Sequence, residues 1–283
     1  MMKHSSIFSY LTAVFTLPLS HAAPAPVRRA DSISSRCTNT VLRQNWFVGD
    51  CLTGEDETTR IQSAVFLGNK VANKNATLAF ADDQGDFFRS CSDCRLADTS
   101  SLSCLCKPAY GEGKWSLTPR SSTINLEEHI SVYNGHLLSN LKGAPKPPSQ
   151  PSPWPVPSSL TYRFGGNVTC PGGDGGPGDY CASQGYFCTS GTEREDLSVS
   201  GPWSFEAPVK CYVPFLWFQN IHYQLTDFNL AGEGGWRTFG YDNERCEGEP
   251  IEVVEPDSSY VCRRFQKPVK AFTVLPAFNG DPN

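Results

Sequence analysis

The chain has 283 residues, a net charge of −5, 12 cysteines, 24 glycines and 22 prolines. The acidic balance excludes the basic footprint of a protein that binds nucleic acid or anionic lipid. The many turn formers, and the lack of helical stripes longer than one or two turns, predict an all-β chain, and its length suggests two domains.

The first 22 residues have the features of a secretory signal peptide. Lys3 gives a short basic region, Ile7 to Leu19 form an apolar region, and Ser20 to Ala22 occupy the cleavage positions. That apolar region is too short for a membrane span, and no later stretch is apolar enough to be one. We therefore expect a secreted, extracellular protein in which residues 23–34 form a flexible leader or propeptide.

All cysteines follow the signal peptide, and their even number in a secreted chain indicates disulfides. Cys37 and Cys51 are 14 positions apart, and Cys91 and Cys106 are 15 positions apart. The remaining pair of this region, Cys94–Cys104, nests inside the second. The Cys-x-x-Cys and Cys-x-Cys pattern could instead hold zinc, but an oxidising compartment favours disulfides, and we expect no metal.

The similar cysteine spacing indicates an internal duplication of residues 36–80 and 90–138. In the second copy Asn125 is expected to cap a helical turn, and Asn134-Gly135 forms a tight turn. We align Ile61 with Ile124, which gives the first copy about four extra residues before Asn75. A copy of about 50 residues is marginal for a core of its own, so neither is expected to fold alone.

Residues 142–158 are rich in proline, cannot pair as a strand and favour polyproline II, so we interpret them as a semi-rigid linker between domains. A ligand for a peptide-binding module is the alternative. Residues 159–283 alternate short strands with Gly/Pro loops, which predicts a second, disulfide-rich β-sandwich-like domain. There Cys246–Cys262 is the expected pair, because a strand, a turn and a returning strand lie between them. Four other cysteines are left open, namely Cys170, Cys181, Cys188 and Cys211.

No catalytic constellation stands out, so we expect no enzymatic activity and no cofactor. The histidines lack the motifs of hydrolases, and His129 is expected to be a packed or capping residue. The loop Gly172–Gly178 lacks the lysine of a phosphate loop. A hydrolase in residues 159–283 is the alternative. Asn75 and Asn167 stand in glycosylation sequons.

Residues 36–141 resemble the cyanovirin-N homology family of small secreted or cell-surface lectins. The elements that carry the resemblance, in chain order, are Ser35-Arg36-Cys37 with Cys51, Thr59-Arg60-Ile61, Phe66-Leu67-Gly68-Asn69, Asn75-Ala76-Thr77-Leu78, Gly85 to Cys91, Leu102 to Cys106, Ile124 to Ile130 and Asn134 to Leu137. The resemblance implies two pseudo-symmetric halves of three-stranded sheets and hairpins that exchange strands. It also implies binding of oligosaccharides, often rich in mannose, at two opposite ends without metal.

Carried over by position, the resemblance implies two sets of carbohydrate-binding residues. The set that we call the Lys107 end comprises Asn69, Asn75, Asp86, Arg89, Ser90, Lys107 and Tyr110. The set that we call the Arg36 end comprises Ser35, Arg36, Thr53, Gly54, Glu55 and Asn134.

We expect the Lys107 end to be the better preserved, unless a glycan on Asn75 covers it. Lys107 directly follows a disulfide cysteine, whereas Arg36 lies near a mobile chain end. The extra residues Lys70–Asn73 should form the rim of the Lys107 end. The sequence therefore predicts a secreted lectin for mannose-type oligosaccharides or glycoproteins. The alternative is a structural or interaction protein that keeps the lectin fold without binding sugar.

Overall fold

The computed structural model describes residues 30–82, 85–109, 117–166, 203–205, 207–213, 215–216, 221–222, 225–231, 234–256 and 261–281. Several sequence predictions lie outside these residues. They concern the signal peptide, most of the leader, Tyr110, Asn167, Gly172–Gly178, Cys170, Cys181 and Cys188.

Residues 30–141 contain two similar units in succession. The first unit consists of the helical turn α1 (Ile33–Arg36), β1 (Cys37–Arg43), β2 (Trp46–Leu52), β3 (Arg60–Phe66), β4 (Val71–Lys74) and β5 (Thr77–Phe80). The second consists of a 3-10 turn (Phe87–Arg89), β6 (Cys91–Leu96), β7 (Ser101–Cys106), β8 (Arg120–Asn125), a 3-10 turn (Leu126–Glu128), β9 (Ile130–Tyr133) and β10 (His136–Ser139). Each unit forms a three-stranded antiparallel sheet and a hairpin, with sheet orders β1-β2-β3 and β6-β7-β8.

Local features of the second unit confirm the sequence reading. The Asn125 side chain accepts a hydrogen bond from the Glu127 amide at 3.1 Å and so caps the 3-10 turn. Asn134 and Gly135, with φ of 50° and 83°, connect β9 to β10. Gly135 is required here, because a Cβ at this position would lie 2.7 Å from Cγ1 of Ile61.

The six cysteines of this region pair as predicted. The disulfides Cys37–Cys51, Cys91–Cys106 and Cys94–Cys104 each join neighbouring antiparallel strands. All four cysteines of the alternative zinc pattern therefore form two disulfides, so their thiolates are not available as zinc ligands.

The two units exchange their hairpins, as the resemblance implied. The β4–β5 hairpin of the first unit packs on β8 of the second, where the Leu78 amide donates to Oγ of Ser122 at 2.8 Å. The β9–β10 hairpin packs on β3, where the Leu137 amide donates to Oγ of Ser63 at 2.9 Å. Leu78 and Leu137 lie in one shared core. The two units therefore form a single domain.

Strand register corrects our alignment of the two copies. Cys51 faces Ile61, whereas Cys106 faces Arg120, so Ile61 corresponds to Arg120 and not to Ile124. Ile124 then corresponds to Val65, and the first copy has no extra residues before Asn75. Matching short Thr and Ile elements was misleading because such residues recur along any strand, whereas pairing across the sheet fixes the register.

The C-terminal region contains two four-stranded antiparallel sheets, in agreement with a second disulfide-rich β domain. One has the order β12 (Trp203–Phe205), β11 (Tyr162–Gly166), β16 (Leu225–Ala231) and β19 (Val261–Val269). The other has the order β13 (Val209–Tyr212), β20 (Ala271–Pro276), β17 (Trp236–Tyr241) and β18 (Glu252–Val254). Two short strands, β14 (Phe215–Leu216) and β15 (Ile221–His222), pair with each other.

The predicted pair Cys246–Cys262 is wrong, because Cys246 forms a disulfide with Cys211. The strand between the two cysteines, β18, folds back on β17 and not toward β19. Cys262 lies on β19, where its backbone pairs with Asn229 of the other sheet. The hairpin assumed from sequence therefore had the wrong partner strand.

The first domain and the C-terminal region share an apolar junction. The Trp46 ring lies 5.9 Å from the Trp236 ring and 5.6 Å from the Phe278 ring, and all three side chains are buried. The Pro-rich segment lines this junction: Val156 is buried, and the Pro157 carbonyl accepts a hydrogen bond from Nη1 of Arg43 at 2.7 Å. The division of the chain into domains at residues 142–158 stays a prediction.

The hairpin exchange predicts that a cut between residues 82 and 85 leaves two fragments that do not fold separately. Each fragment would expose the sheet face that the hairpin of the other unit covers in the intact domain, and a unit of about 50 residues buries too little surface to compensate. Circular dichroism and amide NMR spectra of residues 30–82 and 85–141, alone and mixed, provide the test. Two fragments that each unfold cooperatively on their own would contradict it.

Buried His136 predicts an acid-sensitive fold. It lies on β10 with 3% of its surface exposed, and this burial lowers its pKa from the ordinary 6.5. Because the unfolded chain binds the proton first, the free energy of unfolding should fall as the pH drops from about 6.5 toward the folded-state pKa. One such group contributes at most about 1.4 kcal/mol per pH unit.

Denaturant unfolding between about pH 7 and pH 5 should show a shallower loss of stability in His136→Gln than in the original protein. Equal slopes for the two proteins would rule out this residue as the source.

Candidate functional site

A cleft of about 440 Å³ opens at the Arg36 end of the first domain. Its lining residues are Asp31, Arg36, Leu52, Thr53, Gly54, Asp56, Glu57 and Asn134. Four of the six residues assigned to this end from sequence line the cleft, namely Arg36, Thr53, Gly54 and Asn134. Ser35 and Glu55 are adjacent in sequence to the lining residues Arg36 and Gly54 but do not line the cleft themselves.

The segment before β1 is held in place at the cleft. Asp31 exchanges two backbone hydrogen bonds with Val132, at 3.1 and 2.9 Å, and Ile33 is fully buried in the core. Nε of Arg36 lies 2.9 Å from Oδ2 of Asp31, and the Arg36 carbonyl accepts from Nη1 of Arg60 at 2.6 Å. Our premise that Arg36 lies near a mobile end is therefore corrected, because a buried isoleucine and a strand-like bridge anchor it.

The opposite wall is a loop organised around Asp56. Oδ1 of Asp56 accepts from the amides of Thr58, at 2.6 Å, and Thr59, while Oδ2 accepts from Oγ1 of Thr59 at 2.6 Å. These bonds, above all those from Thr59, hold the pKa of Asp56 far below its usual range. A loop fixed in this way loses little conformational freedom when a ligand binds.

Sequence reasoning missed Asp31, Asp56 and Glu57. Asp56 had a usable signal, because an aspartate followed two and three residues later by threonines favours a turn closed by the aspartate side chain. Asp31 had no such signal, since its position depends on pairing with distant Val132.

The cleft combines donors, acceptors and one apolar side chain. Arg36 supplies a guanidinium, Asp31 and Glu57 supply carboxylates, and Asn134 is an exposed amide with both kinds of group. Leu52 adds a half-buried apolar surface. Such a set suits a polyhydroxyl ligand, whose hydroxyls both donate and accept.

At the Lys107 end the polar groups bond to one another. Nδ2 of Asn73 donates to Oγ of Ser90 and to the Lys107 carbonyl, both at 2.8 Å. Oδ1 of Asn75 accepts from the Ala109 amide at 3.2 Å, and the Lys107 amide donates to the Ser90 carbonyl at 2.9 Å. The structure thus brings Asn75, Ser90 and Lys107 together, but much of their bonding capacity is used internally.

Asp86 and Arg89 form an exposed ion pair of 3.3 Å beside Ser90. Asn69 points elsewhere, since its Oδ1 accepts from Nζ of Lys70 at 3.2 Å. Lys70 is 4% exposed and pairs with Asp281 of the C-terminal region. Lys70 is therefore part of the junction, and for this residue the expected position at the rim of the Lys107 end is wrong. Asn73, the last residue of the expected rim Lys70–Asn73, does lie there, since it contacts Ser90 and Lys107.

His129 is a packed residue, as expected. Its ring lies 4.6 Å from that of Phe80, and Nδ1 is 2.8 Å from Oδ1 of Asn140. Across the described parts of the chain, no three His, Cys, Asp or Glu side chains are grouped so that they could hold a metal ion. Over the same ranges, no helix has the length and apolar character needed to cross a membrane.

The family model of the CVNH domain matches residues 34–138. No curated protein matches the chain. Similar solved structures include the Gibberella zeae CVNH protein, at 19% identity and a TM-score of 0.31, covering 38% of this chain and 95% of that protein. Microvirin in complex with mannobiose shares 23% identity with a TM-score of 0.31, over 38% of this chain and 98% of that one. A MoCVNH3 variant in complex with (N-GlcNAc)4 shares 19% sequence identity with a TM-score of 0.32, and the match covers 40% of this chain and 99% of that one.

The Asp56 turn predicts a local effect of Asp56→Ala. Without the carboxylate, the amides of Thr58 and Thr59 lose their acceptor, so their hydrogen exchange should accelerate while amides of the sheets stay protected. Asp98→Ala is the matched control, because Asp98 closes the same kind of turn with Ser100 and Ser101, away from the cleft. NMR-detected exchange would contradict the prediction if Asp56→Ala left Thr58 and Thr59 unchanged.

Proposed function

Since residues 34–138 form a CVNH domain, we propose that this chain is a secreted carbohydrate-binding protein, a lectin without enzymatic activity. The observation that carries the proposal is the cleft at the Arg36 end. Its polar side chains come from three separate segments, each anchored by its own hydrogen bonds. We place the principal sugar site there.

Recognition would rest on paired hydrogen bonds to neighbouring hydroxyls. The Arg36 guanidinium donates in a fixed plane, while the Asp31 carboxylate beside it accepts, so the two can engage adjacent hydroxyls of one sugar ring. Asn134 faces them from the β9–β10 turn, and the apolar face of a sugar ring can rest on Leu52. Bridging water can complete the remaining bonds in an open cleft of this kind.

We further propose that the ligands are mannose-type oligosaccharides, free or on glycoproteins, as the family resemblance implies. The Lys107 end is the second proposed site. A glycan on exposed Asn75 would stand directly beside Lys107, because the Asn75 side chain contacts Ala109. Protein without N-linked glycans is therefore the material for binding experiments.

The decisive experiment compares two arginines at opposite ends, each in the short turn that precedes the first cysteine of its repeat. Arg36 pairs with Asp31 at 2.9 Å, and Arg89 pairs with Asp86 at 3.3 Å. Calorimetric titration should use mannobiose, longer mannose oligosaccharides and (GlcNAc)4. A hydrogen bond from a charged group contributes about 1.5–3 kcal/mol, so Arg36→Gln should weaken mannose binding roughly 10- to 150-fold. Arg89→Gln, which lies in the second proposed site, should leave binding at the Arg36 end unchanged.

Amide chemical shifts give the same comparison without a substitution. Binding at the principal site should shift the amides of Arg36, Thr53 to Glu55 and Asn134 first, whereas those of Asp86 to Arg89 and Lys107 should shift only at higher ligand concentration, as the second site fills. The reverse pattern, or loss of binding in Arg89→Gln, would move the principal site to the Lys107 end. Absence of binding to a broad glycan array by unglycosylated protein would support a structural protein that keeps the fold.

A further inference from the structure

The edge of β3 that does not face β2 carries a short segment from the end of the chain. The Ala64 amide donates to the Asn279 carbonyl at 2.8 Å, and the Asp281 amide donates to the Ala64 carbonyl at 2.9 Å. Gly280 and Ala64 form a parallel β-bridge. Residues 278–281, which we call the C-terminal segment, thus pair with the edge of the sheet β1-β2-β3 through one isolated bridge and its two hydrogen bonds.

Phe278 and Asn279 of the C-terminal segment each make specific contacts with the first domain. Phe278 is 3% exposed and packs against Trp46. Nδ2 of Asn279 donates to the Gln62 carbonyl at 3.1 Å, and Oγ of Ser63 donates to the Asn279 carbonyl at 2.9 Å. Main-chain pairing together with side-chain pockets is how sheet edges recognise peptides.

Asp281 gives this recognition a charge. It is fully buried, and its Oδ2 accepts from the Ser139 amide at 3.1 Å and lies 3.4 Å from Nζ of Lys70. Burial lowers the pKa of Lys70 more than the Asp281 charge raises it. An ion pair that is costly to bury adds little stability for its own sake, but a segment bound out of register would deprive the buried Lys70 charge of its paired carboxylate.

Position 280 has no room for a side chain, which is consistent with a segment that binds in one register. A Cβ there would lie 2.8 Å from the Pro276 side chain and 2.9 Å from the Phe278 ring. The close approach lets Phe278 and Asp281, on either side of it, both enter the interior.

We propose that β3, β10 and Lys70 form a recognition groove for the chain's own C-terminal segment, and that this segment acts as a latch on the exchanged hairpin β9–β10. The link to the hairpin is direct. Oγ of Ser63 contacts both the Asn279 carbonyl and the Leu137 amide, and Asp281 binds the Ser139 amide two residues farther along β10. The C-terminal region is then a structural part of the first domain, whether or not the cleft binds sugar.

The pseudo-symmetry of the first domain supplies an internal control. Leu78 and Leu137 make equivalent bonds to serine hydroxyls, but the contacts of the C-terminal segment described above involve the Ser63 side alone. In full-length Asp281→Ala, hydrogen exchange of the Leu137 and Ser139 amides should accelerate at least ten-fold relative to that of Leu78. Glu255→Gln, which breaks the exposed pair of Arg237 and Glu255, is the matched control and should change none of the three.

Lys70→Met and Asp281→Asn extend the test with milder changes, and they replace Asp281→Ala as the test variants if Asp281→Ala does not fold. In the double variant, the acceleration of hydrogen exchange at the Ser139 amide should be smaller than the product of the accelerations in the two single variants. The reason is that the double variant removes both charges of the buried pair. Equal acceleration at Leu78 and Leu137, or strictly multiplicative single effects, would overturn the proposal. A dimer in solution that dissociates in Asp281→Ala would also overturn the proposal in its intramolecular form, since the segment would then bind a second copy.

Discussion

The first domain depends on one core that its two repeats share, and two equivalent hydrogen bonds join each exchanged hairpin to the other repeat, each from a backbone amide to a serine hydroxyl. Leu78 binds Ser122, and Leu137 binds Ser63. Both bonds lie between a hairpin and a sheet that belong to different repeats, so they exist only when the two repeats share a core. The disulfides are local by comparison, because each joins neighbouring strands of one sheet. They fix the sheets, whereas the exchanged hairpins join them.

Features set by neighbouring residues could be predicted from the sequence. The Asn125 cap, the turn at Asn134 and the cysteine pairs within hairpins depend on short spacings. Features set by pairing between distant strands could not. The alignment of Ile61 with Ile124 failed because β strands repeat similar residues, and only the partner strand shows that Ile61 corresponds to Arg120. Cys246 was misassigned for the same reason, since β18 pairs with β17 and not with β19.

In the candidate site, too, some residues could be predicted from the sequence, whereas others depend on pairing between distant segments. Arg36, Thr53, Gly54 and Asn134 could be found because the family resemblance maps them by position. Asp31 enters the cleft through a bridge to Val132, about a hundred positions away in the chain. The preference for the Lys107 end rested on a rigid disulfide beside it. In the structure that rigidity coexists with polar groups that satisfy one another, as Asn73 does for Ser90 and Lys107. Rigid support favours binding only when it leaves donors and acceptors facing the solvent.

The junction changes what the second half of the chain contributes. A domain tethered by a proline-rich spacer would leave the β3 edge of the first domain exposed to pairing with other chains. Here Asn279 and Asp281 occupy that edge, and Trp46 and Trp236 lie in one apolar cluster with Val156 of the Pro-rich segment. The buried charge of Lys70 in the first domain is paired with the carboxylate of Asp281, which comes from the C-terminal region. The physical unit that presents the cleft therefore includes the C-terminal segment and the Pro-rich segment around Val156, although the family match ends at residue 138.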